Sequence, residues 1–261
     1  MKFPRIIENY ISGKQYALDQ VGLSGSGVCI FEDMVLKIQP ESEESINELE
    51  MLRWLNGKIP VPRIIEHIRE NENSFILMSK CPGRMSCDER YMQDPKRQAE
   101  LLAEALHALW EIPVGNCPCK WPLERRLQIA AKNIAQNHID VNGAQSDTFG
   151  SSGFRDPEAL LQWLIDHKPE EQQMLSHGDF CLPNIILNEN GLSGLIDLGK
   201  AGIADPWQDI ALCIRSLSNN YSGMYGGRSY PGFSADIFFQ ALGILPDWDR
   251  IRYYILLDEL F

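Results

Sequence analysis

Residues 176–199, SHGDFCLPNIILNENGLSGLIDLG, combine a predicted β-hairpin with three polar residues at fixed spacing. Two short apolar runs joined by the turn sequence NENG predict the hairpin over 185–196. Asp179 and Asn184, which is five positions further on, precede the hairpin, and Asp197 follows it. These three side chains therefore flank one hairpin.

An Asp, an Asn five positions on and an Asp beyond a hairpin suit phosphoryl transfer to an alcohol. That reaction needs a carboxylate to orient the hydroxyl group and accept its proton, and an amide oxygen with a second carboxylate to hold magnesium on the phosphates. Asp179 fits the first role, and Asn184 and Asp197 fit the second. The catalytic loop of kinases has the same Asp-to-Asn spacing. The segment therefore predicts kinase-like catalysis.

Each of these residues also has an ordinary structural explanation. Taken alone, Asp179 could be a turn residue, Asn184 a cap at the strand entry and Asp197 a cap before the next turn. The joint spacing favours the catalytic interpretation. His177 is expected to shape the loop through hydrogen bonds, because Asp179 already takes the place of the base, and proton transfer by His177 is the alternative.

The N-terminal part of the sequence supplies a candidate phosphate-holding ion pair. Lys37 lies in the apolar predicted strand MVLKI, where an unpaired ammonium group would be costly to bury. Lys37 therefore requires an anionic partner, and Glu48 lies on the predicted helix that follows. A capping box with Ser45 is the alternative role for Glu48, and Glu44 and Glu50 are neighbours that could substitute for it.

The glycine-rich stretch GLSGSG at 22–27 precedes Lys37. It predicts a turn that covers phosphates with backbone amides, Ser24 among them, and a plain hairpin turn is the alternative. A second hairpin turn is predicted at Glu32-Asp33, and the apolar run FILM at 75–78 predicts a buried strand. The breaker sequence SKCPG after that strand marks the expected lobe boundary.

The second half of the chain has a helical pattern. Three predicted helices begin with an Asp-Pro pair, at Asp94, Asp156 and Asp205. A further helix carries 251–257 towards the C-terminus, and the hairpin at 185–196 is expected to be the only extended segment of this half. The sequence therefore predicts an α+β chain with a small β-rich N-lobe over 1–81 and a larger helical C-lobe over 82–261.

Composition and charge exclude several classes of protein. The 261 residues include 24 Lys plus Arg against 36 Asp plus Glu, and a net charge of −12 is too acidic for a nonspecific nucleic-acid binder. The longest apolar runs have five residues, far short of the roughly 20 that span a bilayer. Glu8 and Asn9 interrupt the apolar start that an export signal needs. A cytoplasmic protein that binds neither nucleic acid nor membrane is expected.

The cysteines indicate neither a disulfide framework nor a zinc site. There are seven, an odd number, and no CxxC pair occurs. Cys117 and Cys119 form the only close pair, but alternate residues separated by a proline suit neither tetrahedral zinc nor a redox helix. We expect reduced thiols throughout.

Together these residues resemble the aminoglycoside phosphotransferases, and most of all their 3′-phosphotransferase group. The pieces that carry the resemblance are WLNGKIPVP at 54–62, HGDFCLPN at 177–184, IDLGKAGIADPWQDIAL at 196–212 and YYILLDELF at 253–261. The resemblance implies a bilobal protein-kinase-like fold that binds MgATP between its lobes and phosphorylates the 3′-hydroxyl of an aminoglycoside, which confers resistance. The alternatives are a kinase of the same superfamily with another alcohol acceptor, and a noncatalytic nucleotide-binding module.

The resemblance also implies roles for individual residues. The implied catalytic and phosphate-binding set is Asp179 as base, Asn184 and Asp197 as magnesium ligands, and Lys37 with Glu48 as the phosphate-holding pair. Ser79 to Cys81 correspond to the linker that contacts adenine through its backbone. Asp209 resembles the buried aspartate that braces the catalytic loop, and an ordinary first-turn carboxylate is the alternative.

A polycationic acceptor needs carboxylates in its binding site. Asp258, Glu259 and the Phe261 α-carboxylate place three negative charges within the last four residues, after a predicted apolar helix that would anchor them. The resemblance places the corresponding terminus in the aminoglycoside site, and a solvated tail is the alternative. Asp147 is a further candidate, and the Gly- and Tyr-rich stretch 219–232 is expected to be an insertion, either over the cleft or on the surface.

Overall fold

The computed structural model describes residues 3–18 and 27–261, and the first part of the chain forms a five-stranded antiparallel sheet. Its strands are β1 (Ala17–Leu18), β2 (Gly27–Ile30), β3 (Met34–Pro40), β4 (Ile64–Glu70) and β5 (Asn73–Ser79), in the order β1-β2-β3-β5-β4. Two helices accompany this sheet, α1 (Arg5–Ile11) and α2 (Glu43–Leu55). The predicted strand at 75–78 and hairpin turn at 32–33 are confirmed. Ser24 lies outside the described residues.

The alternation of side chains along β3 places Lys37 on the same side as α2. Leu36 points to the opposite face, where it joins a small apolar cluster with Ile7 and Ile11 of α1. Lys37 therefore faces the helix that carries Glu48, as an ion pair between the two requires.

Helix α2 begins one residue after Ser42, and this start determines the role of Glu48. The Ser42 hydroxyl accepts a hydrogen bond from the Ser45 N–H, and the Ser45 hydroxyl accepts one from the Ser42 N–H. The predicted capping box of Ser45 with Glu48 is therefore wrong. Ser42 is the N-cap residue, and Ser45, at the third helical position, is its partner in the capping box. Glu48 lies in the second turn and is free to meet Lys37.

The second part of the chain is mainly helical. Its helices are α3 (Glu89–Met92), α4 (Pro95–Trp110), α5 (Leu123–Ala135), α6 (Pro157–Asp166), α7 (Pro206–Ser222), α8 (Ala235–Leu242) and α9 (Trp248–Asp258). The predicted starts at Asp94, Asp156 and Asp205 are confirmed, since each aspartate side chain accepts a hydrogen bond from a backbone N–H of the first turn.

Short strands complete this part. They are β6 (Arg84–Met85), β7 (Met174–Ser176), β8 (Ile185–Asn188), β9 (Gly191–Leu195) and β10 (Gly202–Ala204). The β8–β9 hairpin is the predicted one, and β6 pairs with it, while β7 pairs with β10. The expectation that the hairpin is the only extended segment is wrong. The additional strands have two or three residues, too few for an alternating pattern to show in the sequence.

The two parts share one apolar core. Leu52 and Leu55 of α2 belong to the same buried cluster as residues of α4, α7 and α9. The Leu195 N–H of β9 also donates to the Pro60 carbonyl oxygen at 2.9 Å. The division of the chain after residue 81 stays a prediction. In the described ranges, no helix has both the length and the apolar character that crossing a membrane requires.

The predicted insertion at 219–232 begins too early, because 219–222 form the last turn of α7, and the residues after that turn pack on the surface beside α3 and the start of α4. Arg228 forms an ion pair with Glu89 at 3.0 Å, and the Tyr230 N–H donates to the Tyr221 carbonyl oxygen at 2.9 Å. Tyr221 itself is buried, and its hydroxyl donates to Gln98 of α4 at 2.8 Å. These contacts attach the stretch to the helical part of the chain.

Candidate active site

The loop between β7 and β8 carries Asp179 and Asn184, and its entry depends on Gly178. Gly178 has φ +81°, a conformation that residues with a Cβ atom rarely adopt. A Cβ atom there would also lie 2.5 Å from the Lys200 carbonyl carbon. Glycine is therefore required both by the backbone conformation and by the close approach of the chain at Lys200.

Asp209 braces this entry from the first turn of α7. It is fully buried, and its carboxylate accepts hydrogen bonds from the His177 N–H at 2.8 Å and the Gly178 N–H at 2.9 Å. Gln208 donates to the Gly178 carbonyl oxygen at 2.6 Å. The N–H groups of His177 and Gly178 and the Gly178 carbonyl oxygen are thus all bonded by side chains of α7. Asp209 occupies the bracing position expected from the sequence.

His177 links the loop to the segment that carries Asp197. Its Nε2 lies 3.0 Å from the Ile196 carbonyl oxygen, and because a carbonyl only accepts, Nε2 carries the proton. Its Nδ1 then accepts the Asp179 N–H at 3.3 Å. Both ring nitrogens are engaged with the backbone, which favours the loop-shaping role over the proton-transfer role.

Asn184 holds the carboxylate of Asp179. The Asn184 Nδ2 group donates to the Asp179 carbonyl oxygen and to Asp179 Oδ2, both at 3.0 Å. Because both bonds use the amide nitrogen, the Asn184 Oδ1 atom stays available as an acceptor or a metal ligand. Asp179 is only half-buried, so its carboxylate remains open to an acceptor.

Lys37, Glu48 and Asp197 form one cluster. Lys37 Nζ lies 2.9 Å from Glu48 Oε2 and 2.8 Å from Asp197 Oδ1. The Glu48 side chain is 3% exposed, and Gln39 donates to its Oε2 at 2.9 Å. The structure therefore brings the predicted pair together and joins Asp197 to it. One cation shared by two carboxylates leaves a net negative charge at this point.

Burial and charge shift the pKa values within this cluster in different directions. Burial alone would lower the pKa of Lys37, but Glu48 and Asp197 hold it above its ordinary value. Burial raises the pKa of Glu48, although Lys37 opposes this. Burial would also raise the pKa of Asp197, but Lys37 holds it below its ordinary value. Asp197 adopts a left-handed conformation with φ +60°, which is uncommon for a non-glycine residue and costs about 1 kcal/mol or more.

The acidic C-terminus lies against a cation that the sequence analysis did not identify. Arg215 of α7 forms an ion pair with Asp258, and its Nη1 lies 3.9 Å from Glu259 Oε1. Burial alone would raise the pKa of Asp258, but Arg215 and Lys200 hold it below its ordinary value. A signal was present, because Arg215 directly follows the apolar run 210–214 on the same helix, and a cation next to residues expected to be buried requires a partner.

Phe261 is held by two further cations that sequence reasoning missed. The Arg126 guanidinium lies 5.1 Å and the Lys200 ammonium 5.3 Å from the centre of its ring. Arg126 is buried, and its Nη1 has no hydrogen-bond partner among the residues that the structure describes. Phe261 therefore packs against two cations, and the predicted apolar helix before it is anchored through the buried residues of α9.

A cavity of about 310 Å³ lies beside these residues. It is lined by the start of α2, by α5, by the start of α7 and by the C-terminus, through Ser42, Glu43, Glu44, Trp121, Arg126, Ile129, Lys200, Gln208 and Phe261. Gln208 also bonds the loop entry at Gly178. The cavity thus adjoins the Asp179 loop and reaches both parts of the chain.

Asp147 lies further out. Its carboxylate forms an ion pair with Arg252 at 3.2 Å, and its side chain is 60% exposed. The same loop is joined to the C-terminus, because the Gln145 N–H donates to Glu259 Oε1 at 3.3 Å. Asp147 is therefore near the predicted acceptor residues but is not part of their ion-pair network.

The linker Ser79 to Cys81 begins at the last residue of β5. The Ser79 N–H donates to the Arg63 carbonyl oxygen at 2.9 Å, and the Lys80 N–H donates to the Asp33 carbonyl oxygen at 3.1 Å. The Cys81 N–H has no such partner within 3–18 and 27–261. A Cβ atom at Gly194 would lie 2.6 Å from Cys81 Cβ, so the linker packs closely on β9.

Comparison with known proteins identifies the family. The sequence profile described as "Phosphotransferase enzyme family" matches residues 20–254. An aminoglycoside 3′-phosphotransferase of Enterococcus faecalis is 39% identical over 220 residues, which cover 82% of this chain and 78% of that protein. Another, from Campylobacter jejuni, is 36% identical over 218 residues, which cover 82% and 80%.

Solved structures agree in fold. Aminoglycoside phosphotransferase APH(3′′)-Id from Streptomyces rimosus superposes with a TM-score of 0.81 at 25% identity, over 97% of this chain and 95% of that one. An aminoglycoside-3′-phosphotransferase of type VIII gives a TM-score of 0.82 at 24% identity, over 98% and 97%. At 24% identity, the second superposition shows a shared fold and no more.

The chain belongs to the phosphotransferase enzyme family and, within it, to the aminoglycoside 3′-phosphotransferases. The predicted family and the predicted α+β protein-kinase-like fold are thereby confirmed.

Proposed function

We propose that this protein transfers the γ-phosphoryl group of ATP to the 3′-hydroxyl of an aminoglycoside. The observation that carries the proposal is the contact between Lys37 and Asp197 at 2.8 Å, which joins the phosphate-holding pair to the second carboxylate of the catalytic segment. Phosphoryl transfer depends on holding these groups in fixed positions around the phosphates. The names of the relatives, all aminoglycoside 3′-phosphotransferases, support the choice of acceptor.

The nucleotide is proposed to bind between the linker and the ion-pair cluster. The Cys81 N–H, which lacks a backbone partner among the described residues, would donate to an adenine ring, with Ser79 alongside. Lys37 would hold the α- and β-phosphates, and Glu48 would fix the position of Lys37. That backbone amides of the turn containing Ser24 cover the phosphates remains a prediction.

Asn184 and Asp197 are proposed to hold magnesium. Their amide and carboxylate oxygens are the donors that this ion prefers, and both amide hydrogen bonds of Asn184 leave its Oδ1 free. Across the described ranges, no group of three His, Cys, Asp or Glu side chains could hold a metal by itself. Two protein ligands suit magnesium, which takes its remaining ligands from phosphates and water. When bound, the ion would neutralise charge on the transferred phosphoryl group.

Asp179 is proposed to act on the acceptor. Its Oδ2 is held by Asn184 at 3.0 Å and its N–H by His177 at 3.3 Å, so the carboxylate is fixed in orientation. The other carboxylate oxygen would accept a hydrogen bond from the acceptor hydroxyl and align it with the γ-phosphorus. It would take the hydroxyl proton as the new P–O bond forms and the bond from the γ-phosphorus to the bridging oxygen breaks, with ADP as the leaving group.

The acceptor is proposed to bind at the C-terminus. Asp258, Glu259 and Phe261 are the residues that would meet it, and the two side-chain carboxylates suit the ammonium groups of an aminoglycoside. Arg215 pairs with both carboxylates, and Arg126 and Lys200 lie beside Phe261, so the aminoglycoside would compete with these cations. Asp147, exposed at the edge of the same region, would contact a distal ring. A phosphate added to the drug would weaken its contacts with ribosomal RNA and so confer resistance.

The proposal is tested by ADP release from the purified protein with MgATP and kanamycin, neomycin or amikacin, with choline and a macrolide as controls. We expect turnover on the aminoglycosides, and NMR of the product should locate the phosphate on the 3′-oxygen. Asp179→Asn should abolish turnover but retain nucleotide binding, whereas Asp166→Asn, at the exposed end of α6, should match the wild type. Turnover on a control alone would refute the acceptor, and an active Asp179→Asn variant would refute the base.

A further inference from the structure

Asn47, the residue before Glu48, ties helix α2 to the chain that follows Asp197. Its side chain is buried, with 6% exposure, and its Nδ2 lies 2.8 Å from the Gly199 carbonyl oxygen and 2.8 Å from that of Ala201. The Leu198 carbonyl oxygen is a longer contact at 3.5 Å. One amide group thus faces three carbonyl groups of the turn at 198–201, across 151 to 154 residues of sequence.

The amide donors of Asn47 match the carbonyl acceptors of the turn. Leu198–Lys200 form a single 3-10 turn, and the carbonyl groups at the end of such a turn lack partners within it. A primary amide offers two N–H donors, which bond the Gly199 and Ala201 carbonyl groups. The Ala201 carbonyl also accepts from Trp121 Nε1 at 3.0 Å, so among the described residues it is the Gly199 carbonyl that depends on Asn47 alone. A buried carbonyl without a donor is costly, so the turn and α2 are stabilised in this relative position.

This position is the one that the ion-pair cluster needs. Glu48 is adjacent to Asn47 on α2, and Asp197 is adjacent to the turn that Asn47 holds. Lys37 reaches both carboxylates through a flexible side chain, which does not fix the two backbones relative to each other. The Asn47 amide does fix them, because it bonds backbone atoms from a short side chain.

We propose that Asn47 is a positioning residue for nucleotide binding: by clamping α2 to the turn at 198–201, it keeps Lys37, Glu48 and Asp197 assembled. The inference rests on the proposed function and assigns a role within the same site. Asn47 contacts neither nucleotide nor acceptor in this account and acts only through Glu48 and Asp197.

Ser45 provides a matched control on the same helix. It is as buried as Asn47, with 3% exposure, and it also forms hydrogen bonds, but only with Ser42 at the helix start. Ser45→Ala therefore removes buried hydrogen bonds from α2 without touching the turn at 198–201. Any effect that Asn47→Ala shows beyond Ser45→Ala reports on the clamp.

The experiment compares Asn47→Ala, Asn47→Ser and Ser45→Ala with the wild type. Titration calorimetry gives the Kd of MgADP, steady-state kinetics give kcat and the KM values of ATP and kanamycin, and thermal unfolding gives Tm. For Asn47→Ala we expect a Kd for MgADP raised about tenfold and a kcat lowered about 10- to 100-fold. The kanamycin KM should stay within about twofold. Asn47→Ser, which keeps one donor, should fall between Asn47→Ala and wild type.

The results separate the clamp from a structural role. If Asn47→Ala and Ser45→Ala lower Tm alike and leave the MgADP Kd unchanged, the proposal is wrong. If Asn47→Ala is too unstable to purify, Asn47→Ser with wild-type Kd and kcat would also overturn it. Calorimetry uses no acceptor, so a wild type that binds MgADP but phosphorylates no aminoglycoside would refute the proposed function, while weaker binding by Asn47→Ala would still support the clamp.

Discussion

Replacement of Gly178 by alanine tests how closely the catalytic loop approaches the chain at Lys200. Gly178 has φ +81°, and an added Cβ atom would lie 2.5 Å from the Lys200 carbonyl carbon and 2.7 Å from Lys200 Cβ. Ordinary carbon contacts are about 3.5–4.0 Å. The obstructing atoms belong mainly to the backbone, so they cannot move aside by a change of rotamer, and the loop itself must shift by about 1 Å.

The magnitude follows from two contributions. The left-handed conformation costs an alanine about 1–2 kcal/mol relative to glycine. Forcing a methyl group into occupied space adds about 1–3 kcal/mol. We therefore expect Gly178→Ala to lower the free energy of unfolding by about 2–5 kcal/mol. Gly57→Ala is the matched control, because Gly57 has φ +80° but no atom within 4 Å of the added Cβ, so it should cost only about 1–2 kcal/mol.

Urea unfolding of the two variants and the wild type measures these costs, and kcat provides a second measurement. A shift of about 1 Å at the residue next to Asp179 should lower kcat by about 100-fold in Gly178→Ala, whereas Gly57→Ala should keep wild-type kcat. The reasoning is refuted if both variants lose the same free energy, or if Gly178→Ala keeps wild-type kcat. The first result would mean that the Cβ atom meets no added steric cost at Gly178, and the second that the loop does not shift at Asp179.

Three further outcomes are expected. Lys37→Met should lower the free energy of unfolding by about 3–5 kcal/mol at pH 8, because it leaves Glu48 buried without its cation. The loss should be smaller at pH 5, because the raised pKa of the Glu48 carboxyl favours its protonation there. Urea unfolding at both pH values checks this. The pKa of Asp258 is held below its ordinary value, so its ion pair should stabilise the fold fully above about pH 4 and less as the pH falls through the lower folded pKa. The difference in unfolding free energy between wild type and Asp258→Asn should therefore shrink below about pH 4. Unfolding followed by circular dichroism at several pH values measures this difference. Ser216→Ala, which leaves the buried Leu182 N–H without its acceptor at 3.0 Å, should cost about 1–3 kcal/mol in thermal unfolding, with no change in the KM of ATP.

Much of the site followed from spacing within a few short segments. Asp179 and Asn184 lie in one loop, and Asp197 follows the adjacent hairpin, so local sequence was sufficient to bring them near each other. Lys37 was identifiable because a lone ammonium in an apolar strand needs a partner, and the structure places Glu48 there. Helix starts at Asp-Pro pairs were also predictable from local sequence, because the capping interaction is contained in three or four residues.

What could not be predicted depends on contacts between distant parts of the chain. Arg215 and Asp258 are 43 positions apart, and nothing local to either names the other. The strands β7 and β10 have three residues each and exist because they pair with each other and not because of their own composition. The spacing of Ser45 and Glu48 matches a capping box, but α2 begins after Ser42, and the local pattern does not show at which serine the helix starts.

The segments around the reaction are held by residues that take no part in it. Asp209 holds the entry to the Asp179 loop, Ser216 holds the N–H of Leu182 in the middle of that loop, and Asn47 holds the turn after Asp197. All of these bonds join a side chain to backbone atoms and all are buried, so they fix the chain itself and not only the orientation of one side chain. A phosphoryl transfer enzyme does little covalent chemistry of its own, and its rate depends on positioning. Buried side-chain-to-backbone bonds are therefore where substitutions remote from the substrate should affect kcat most.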